Sequence, residues 1–127
     1  MPFIRESLDD VHEPKAAPEG EYDLRIQKAT QSENSKGDDM ITAWIAFDDG
    51  TDAPMFAHYI LSWNSDMEKQ QIERRRLDFK RFCACFDVPE DFEVADLSGA
   101  VAHAYLTQEV GNDDIIRNRL RLPRLKE

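Results

Sequence analysis

Ala53-Pro54-Met55-Phe56-Ala57-His58-Tyr59-Ile60-Leu61 and, three residues on, Ser65-Asp66-Met67-Glu68 form the stretch in which the chain changes its hydrophobic period. The first part follows the turn-forming run Asp48-Asp49-Gly50-Thr51-Asp52, is rich in aromatic and aliphatic residues, and reads as a strand. The second part has the form of a capping box, in which the Ser65 hydroxyl and the Glu68 carboxylate satisfy N–H groups left open at a helix start. Beyond it Ile72, Phe79, Phe82, Cys83 and Phe86 recur on one helical face. Arg74, Lys80 and Arg81 fall opposite or beside that face, and Pro89 stops the helix soon afterwards.

Upstream, Met40–Phe47 reads as a second strand with apolar groups on both faces: Ile41, Ala43, Ile45 and Phe47 on one side, Met40, Thr42, Trp44 and Ala46 on the other. The polar run Thr30–Asp38, with Ser32, Asn34, Ser35 and Gly37, reads as a long hairpin loop. From Glu21, Tyr22, Leu24 and Ile26 alternate with Asp23, Arg25 and Gln27 to give a half-buried first strand. Residues 1–17, with Pro2, Pro14 and several acids, lack either period and are expected to form an irregular arm leading into a domain of residues 18–127.

Downstream, Pro89–Leu97 is expected to be loop or a short helical turn, and Ala100–Val110 a fourth strand. After the turn Gly111-Asn112-Asp113-Asp114, a last strand Ile115–Leu122 puts Ile116, Asn118, Leu120 and Leu122 on one side and three arginines on the other. The order β-β-β-α-β-β predicts a mainly β fold, an OB-type five-stranded barrel with one helix between strands 3 and 4.

Bulk properties narrow the class. The 127 residues, 41% hydrophobic and 33% charged, suit one globular domain. No apolar run is long enough to span a bilayer, and the N-terminus lacks the basic-then-apolar order of a signal peptide, so a cytoplasmic location is expected. Cys83 and Cys85 lie two apart in a helix, about 200° around its axis from one another, which disfavours a disulfide between them and agrees with a reducing compartment.

The formal net charge of −10 repels phosphate at long range, but such fields fade over about 8 Å at physiological salt, so the distribution matters more than the sum. Residues 1–65 carry five basic and thirteen acidic side chains, net −8, whereas 115–127 carry five basic and one acidic, net +4.

Pro18-Glu19-Gly20-Glu21-Tyr22, Ser35-Lys36-Gly37-Asp38-Asp39-Met40, Leu77-Asp78-Phe79-Lys80-Arg81-Phe82-Cys83 and Asp96-Leu97-Ser98-Gly99-Ala100 together resemble a family of small bacteriophage proteins with an OB fold. The resemblance covers about residues 18–123. It implies single-stranded-DNA binding in phage replication or recombination, in the host cell cytoplasm, with replication or recombination proteins as further partners. One departure concerns the tail: many single-stranded-DNA-binding proteins end in an acidic segment that recruits partners, whereas this chain reads Arg121-Leu122-Pro123-Arg124-Leu125-Lys126-Glu127.

Binding of unpaired strands needs aromatic faces for bases and cations that follow phosphates. Trp44, opposite the core face of strand two, is the leading stacking candidate, and Phe56 and His58 are expected on the corresponding face of strand three. Arg117, Arg119 and Arg121 are expected to track phosphates, joined by Arg25 and Lys28 if strand one borders the same groove. The same arginine strip also suits pairing with the abundant acids or blunting of a strand edge. Tyr59 and Tyr105 read as core or barrel-edge residues, and Arg74-Arg75-Arg76 as a solvated helical surface among Glu73 and Asp78.

Cys83-Ala84-Cys85 lacks partners at zinc-site spacing, with His12, His58 and His103 far apart in sequence. The aspartates at 48, 49, 52, 113 and 114 are turn material rather than magnesium ligands. No phosphate loop, nucleophile elbow or His-Glu-x-x-His motif calls for catalysis, and neither metal nor cofactor is expected. The rival reading is a protein-binding module, an acidic mimic of DNA that blocks a host protein, motivated by the net −8 of residues 1–65.

Overall fold

The computed structural model describes residues 3, 6–9 and 15–125, so most of the expected arm, His12 included, lies outside the described residues. Five strands, β1 (Gly20–Glu33), β2 (Asp39–Phe47), β3 (Phe56–Leu61), β4 (Val101–Val110) and β5 (Ile116–Arg121), form one antiparallel sheet in the order β3-β2-β1-β4-β5. Helix α1 (Lys69–Phe86) and a 3₁₀ turn, Val94–Leu97, stand between β3 and β4. The sheet curls until β3 and β5, its two ends, touch. This half-barrel with its helix is an OB-type, mainly β fold, as the order of periods predicts.

The curl depends on β1, which serves two neighbours. Residues Gly20–Arg25 pair with β4 and Leu24–Glu33 with β2, and the register slips between Ile26 and Lys28. A bulge of this kind bends a strand and sharpens its twist. Here the connection before β4 braces it: Gly99 N donates to Ile26 O at 2.8 Å, and Ile26 N to Ala100 O at 2.9 Å.

The concave face holds the core. Leu24, Ile26, Ile45, Leu97, Leu106 and Phe82 are fully buried, and Phe82, Cys83 and Phe86 project from α1 into the sheet. Each such side chain contributes about 1.5–3 kcal/mol through the apolar area it removes from water.

Three expectations shift. β1 runs to Glu33, so the loop shrinks to the residues around Asn34, whose Oδ1 accepts from Lys36 N and Asp38 N at 2.9 Å. Gly37, at φ 82°, supplies the left-handed step this turn needs. β3 starts at Phe56 rather than Ala53, since Pro54 has no N–H to offer the ladder.

The capping box does not form. The Asn64 carboxamide accepts from Asp66 N at 2.9 Å, Asn64 O accepts from Met67 N at 3.2 Å, and the helix begins after Glu68 without a side-chain cap. At the far end Asp87, at φ 52°, turns the chain out of the helix ahead of Pro89.

Ala17, just upstream of β1, is 3% exposed and is fastened to β5 by one side chain. Asn118, 6% exposed, accepts from Ala17 N and donates to Ala17 O, both at 2.8 Å, as a neighbouring strand would. Gln108 adds a second donor to Ala17 O at 2.9 Å. Among the described residues no helix is long and apolar enough to cross a membrane.

Candidate nucleic-acid interface

Register decides which side chains share the outer face. Thr42 pairs with Tyr59 and Trp44 with Ala57 across β2 and β3, while on the other flank Thr42 pairs with Thr30 and Trp44 with Lys28 of β1. Trp44 and Tyr59 are therefore diagonal neighbours on one surface, about 7–8 Å apart, within reach of aromatic side chains. Trp44 is half-buried and Tyr59 is 57% exposed. Lys28 Nζ sits 5.7 Å from the centroid of the indole, a cation–π contact that holds a positive charge beside the ring.

Two residues expected beside Trp44 face the other way. Phe56 opposes Ile45 and His58 opposes Ala43, and both of those partners are fully buried, so alternation sends Phe56 and His58 into the barrel. Phe56 is 4% exposed and packs at 6.0 Å from Phe47. The His58 ring stacks on Phe82 of α1 with centroids 5.5 Å apart and planes within 3°. Burial, reinforced by the Arg119 charge, pushes the His58 pKa down to about 4, so the ring is neutral at pH 7 and supplies no cation.

Tyr59 is what the sequence reading missed. It sits at an odd position in a strand whose even positions Phe56, His58 and Ile60 point inward, but Ala57 and Leu61 are apolar too, and only the pairing with β2 fixes the phase. Tyr105 is likewise on the outer face, 38% exposed, with the Arg121 guanidinium 5.8 Å from its ring centroid.

The β5 arginines project outward on one side, as alternation predicts, and two of them, Arg117 and Arg119, pair with carboxylates. Arg117 grips Asp113 with two parallel bonds, Nη1 to Oδ1 at 3.1 Å and Nη2 to Oδ2 at 2.7 Å. That hydrogen bonding, with a further bond from Ile115 N, holds the exposed Asp113 carboxyl down to about 2. Arg119 reaches Glu109 at 3.6 Å. Arg25 binds Asp48 at 3.1 and 3.3 Å and donates to Gly99 O at 3.2 Å, so it braces the bulge as well. Among the described residues Lys28 and Arg121 form no ion pair within 4 Å.

The outer surface is divided by charge. Over β1 and β4, His103 lies between two carboxylates, Nδ1 at 2.8 Å from Asp23 and Nε2 at 3.5 Å from Glu21. Hydrogen bonds to Asp23 first and Glu21 second raise its pKa. Toward β3 and β5 the outward cations are Lys28 and the three arginines, with Glu109 and Asp113 set against Arg119 and Arg117.

The helical arginine run is structural at its centre: Arg75 donates to Ser62 O at 2.7 Å and meets Asp38 at 3.5 Å, tying α1 to the end of the β2–β3 ladder where β2 begins and β3 stops. Cys83 and Cys85 are free thiols, and burial together with Glu90 pushes the Cys83 thiol up to about 11, far from a reactive thiolate. Among the described residues no group of three His, Cys, Asp or Glu side chains is arranged to hold a metal ion.

Comparison with known protein families gave no match, and comparison with curated proteins gave none either.

Proposed function

We propose that the outer face of β2 and β3 binds single-stranded DNA, as a phage replication or recombination protein does in the host cytoplasm, without metal or nucleotide cofactor. One observation carries this reading: Trp44 and Tyr59 share a surface bordered by Lys28 on β1 and, where β5 meets β3, by the strand that carries the three arginines. Unpaired bases stack on such rings at about 1–3 kcal/mol each, and duplex DNA, whose bases are already stacked, gains nothing from them.

With Lys28, Arg117, Arg119 and Arg121 each neutralising one phosphate, log affinity falls against log salt with a slope of up to about −3, at about 0.7 per contact. Titrating a fluorescent thirty-mer single strand and the matching duplex at two salt concentrations tests this. Preference for the single strand with that slope is expected; equal affinity for both, or a flat salt response, refutes it.

A second reading rests on the neutralised cations. Arg25, Arg117 and Arg119 are already paired with carboxylates, and the chain carries −10 overall, which suits a DNA mimic that occupies a basic site on a host protein. A stoichiometric nucleic-acid-binding protein retained from host lysate, with no oligonucleotide affinity at low salt, selects that reading over the first.

A further inference from the structure

We propose that Asp113 fills the guanidinium fork of Arg117 as an internal stand-in for phosphate, a latch that single-stranded DNA displaces on binding; this rests on the reading of the β2–β3 face given above. The two bonds at 3.1 and 2.7 Å are the fork-to-fork geometry that an arginine offers equally to a carboxylate and to the two free oxygens of a phosphodiester. Both side chains are about half exposed, at 54% and 48%, so an incoming anion reaches the pair without unfolding anything.

The turn is shaped to keep Asp113 in place. Gly111 N donates to Ile115 O at 2.9 Å, Asp114 N to Gly111 O at 3.0 Å, and Ile115 N to Asp113 Oδ1 at 3.1 Å. Gly111 is not one of the left-handed glycines; its value here is room. A Cβ at that position would stand 2.7 Å from Arg117 Nη1 and 2.8 Å from Asp113 Oδ1, so the ion pair lies directly against its backbone.

The other two pairs are different in kind. Arg25 is anchored by Gly99 O besides Asp48, and Arg119 makes a single contact at 3.6 Å, so neither is a fork filled by a turn carboxylate alone. Arg117 also stands at the seam, because β5 touches β3, the strand that carries Tyr59.

Exchange leaves a thermodynamic mark. When phosphate takes Arg117, Asp113 is released and gathers a cation from solution, which cancels part of the counterion release and makes the wild-type salt slope shallower than its contacts imply.

Two variants open the latch by unrelated means: Asp113→Asn removes the competing charge, and Gly111→Ala pushes the fork aside with no change of charge. Thirty-mer titrations at several salt concentrations should show both binding about three- to tenfold tighter at low salt, with slopes steeper by a fraction of the ~0.7 that one phosphate contact carries. Arg117→Ala should weaken binding, and adding Asp113→Asn to it should restore nothing.

A gain from Asp113→Asn that survives in the Arg117→Ala background marks plain charge removal and overturns the latch, as does the absence of any gain. A wild type without affinity for the thirty-mer overturns the reading of the face, and the latch with it; a wild type that binds, with single variants that gain nothing, overturns the latch alone. Thermal melts check that each variant folds, and if Gly111→Ala does not, the Asp113 and Arg117 cycle still decides.

Discussion

Replacing His58 by Phe removes a titrating ring while leaving an aromatic stack on Phe82. In the wild type, burial and the Arg119 charge lower the His58 pKa from 6.5 to about 4. The folded state thus favours the neutral ring, and below pH 6.5 the unfolded chain takes up a proton that the folded one refuses. The stability His58 contributes is complete above pH 6.5 and is lost as pH falls toward 4.

Those two values lie some two and a half decades of proton affinity apart, each worth about 1.4 kcal/mol, so the loss approaches about 3 kcal/mol, or about 2 once water at the accessible edge of the ring screens it. Urea unfolding of wild type and His58→Phe at pH 7.0, 5.5 and 4.5 isolates the term from the many carboxylates, which both proteins share. The gap in unfolding free energy between variant and wild type should widen toward acid by about 2–3 kcal/mol. Parallel pH profiles would mean that the imidazole is hydrated in the fold, and the inward placement of β3's even positions would fail with it.

Tyr59→Ala should leave stability within about 1 kcal/mol, because the ring is 57% exposed, yet weaken single-strand binding by about 1–3 kcal/mol, five- to 150-fold. Trp44→Ala should weaken binding by a similar factor with the far-UV spectrum retained; a collapsed spectrum would assign the indole to the core. Asn118→Ala should cost about 2–3 kcal/mol, from the lost hydrogen bonds to Ala17 and Thr107 and the buried Ala17 N–H left without a partner, and should speed exchange of the Ala17 amide. For His103, hydrogen bonds donated by its ring to Asp23 and Glu21 raise the pKa, so its contribution is complete below pH 6.5 and vanishes as pH rises through the raised value. His103→Gln should therefore lower the melting temperature at pH 6 and leave it unchanged at pH 9.

The order of elements was legible because strand and helix periods are local. Tyr22, Leu24 and Ile26 announce a strand by alternation alone, and Phe79, Phe82, Cys83 and Phe86 a helix by their spacing. What escaped depends on partners distant in sequence. Thr30–Glu33 look like loop until β2 is laid beside them, where Thr30 pairs with Thr42 and Ser32 with Met40. The aromatic half of the candidate face was half-legible for the same reason. Trp44 was assignable because Ala43 and Ile45 fix the core side of β2, whereas β3 is apolar on both sides and its phase is set only by Phe56 facing Ile45. The outward arginines of β5 were readable, but their engagement with Asp113 and Glu109 belongs to the turn geometry and the β4 register.

The clasp between Asn118 and Ala17 also makes the folded body almost a closed ring. Residue 17 rests against β5, and that same strand carries the chain out through residue 122, so entry and exit share one site on the barrel. Residues 118–124 extend at most about 3.5 Å each, so a linker of about six to eight residues could join position 124 back to position 17. The ring could then be reopened at Gly37 in the tight β1–β2 turn, giving a circular permutant whose new ends leave from another place on the fold and which keeps the same five-stranded curl.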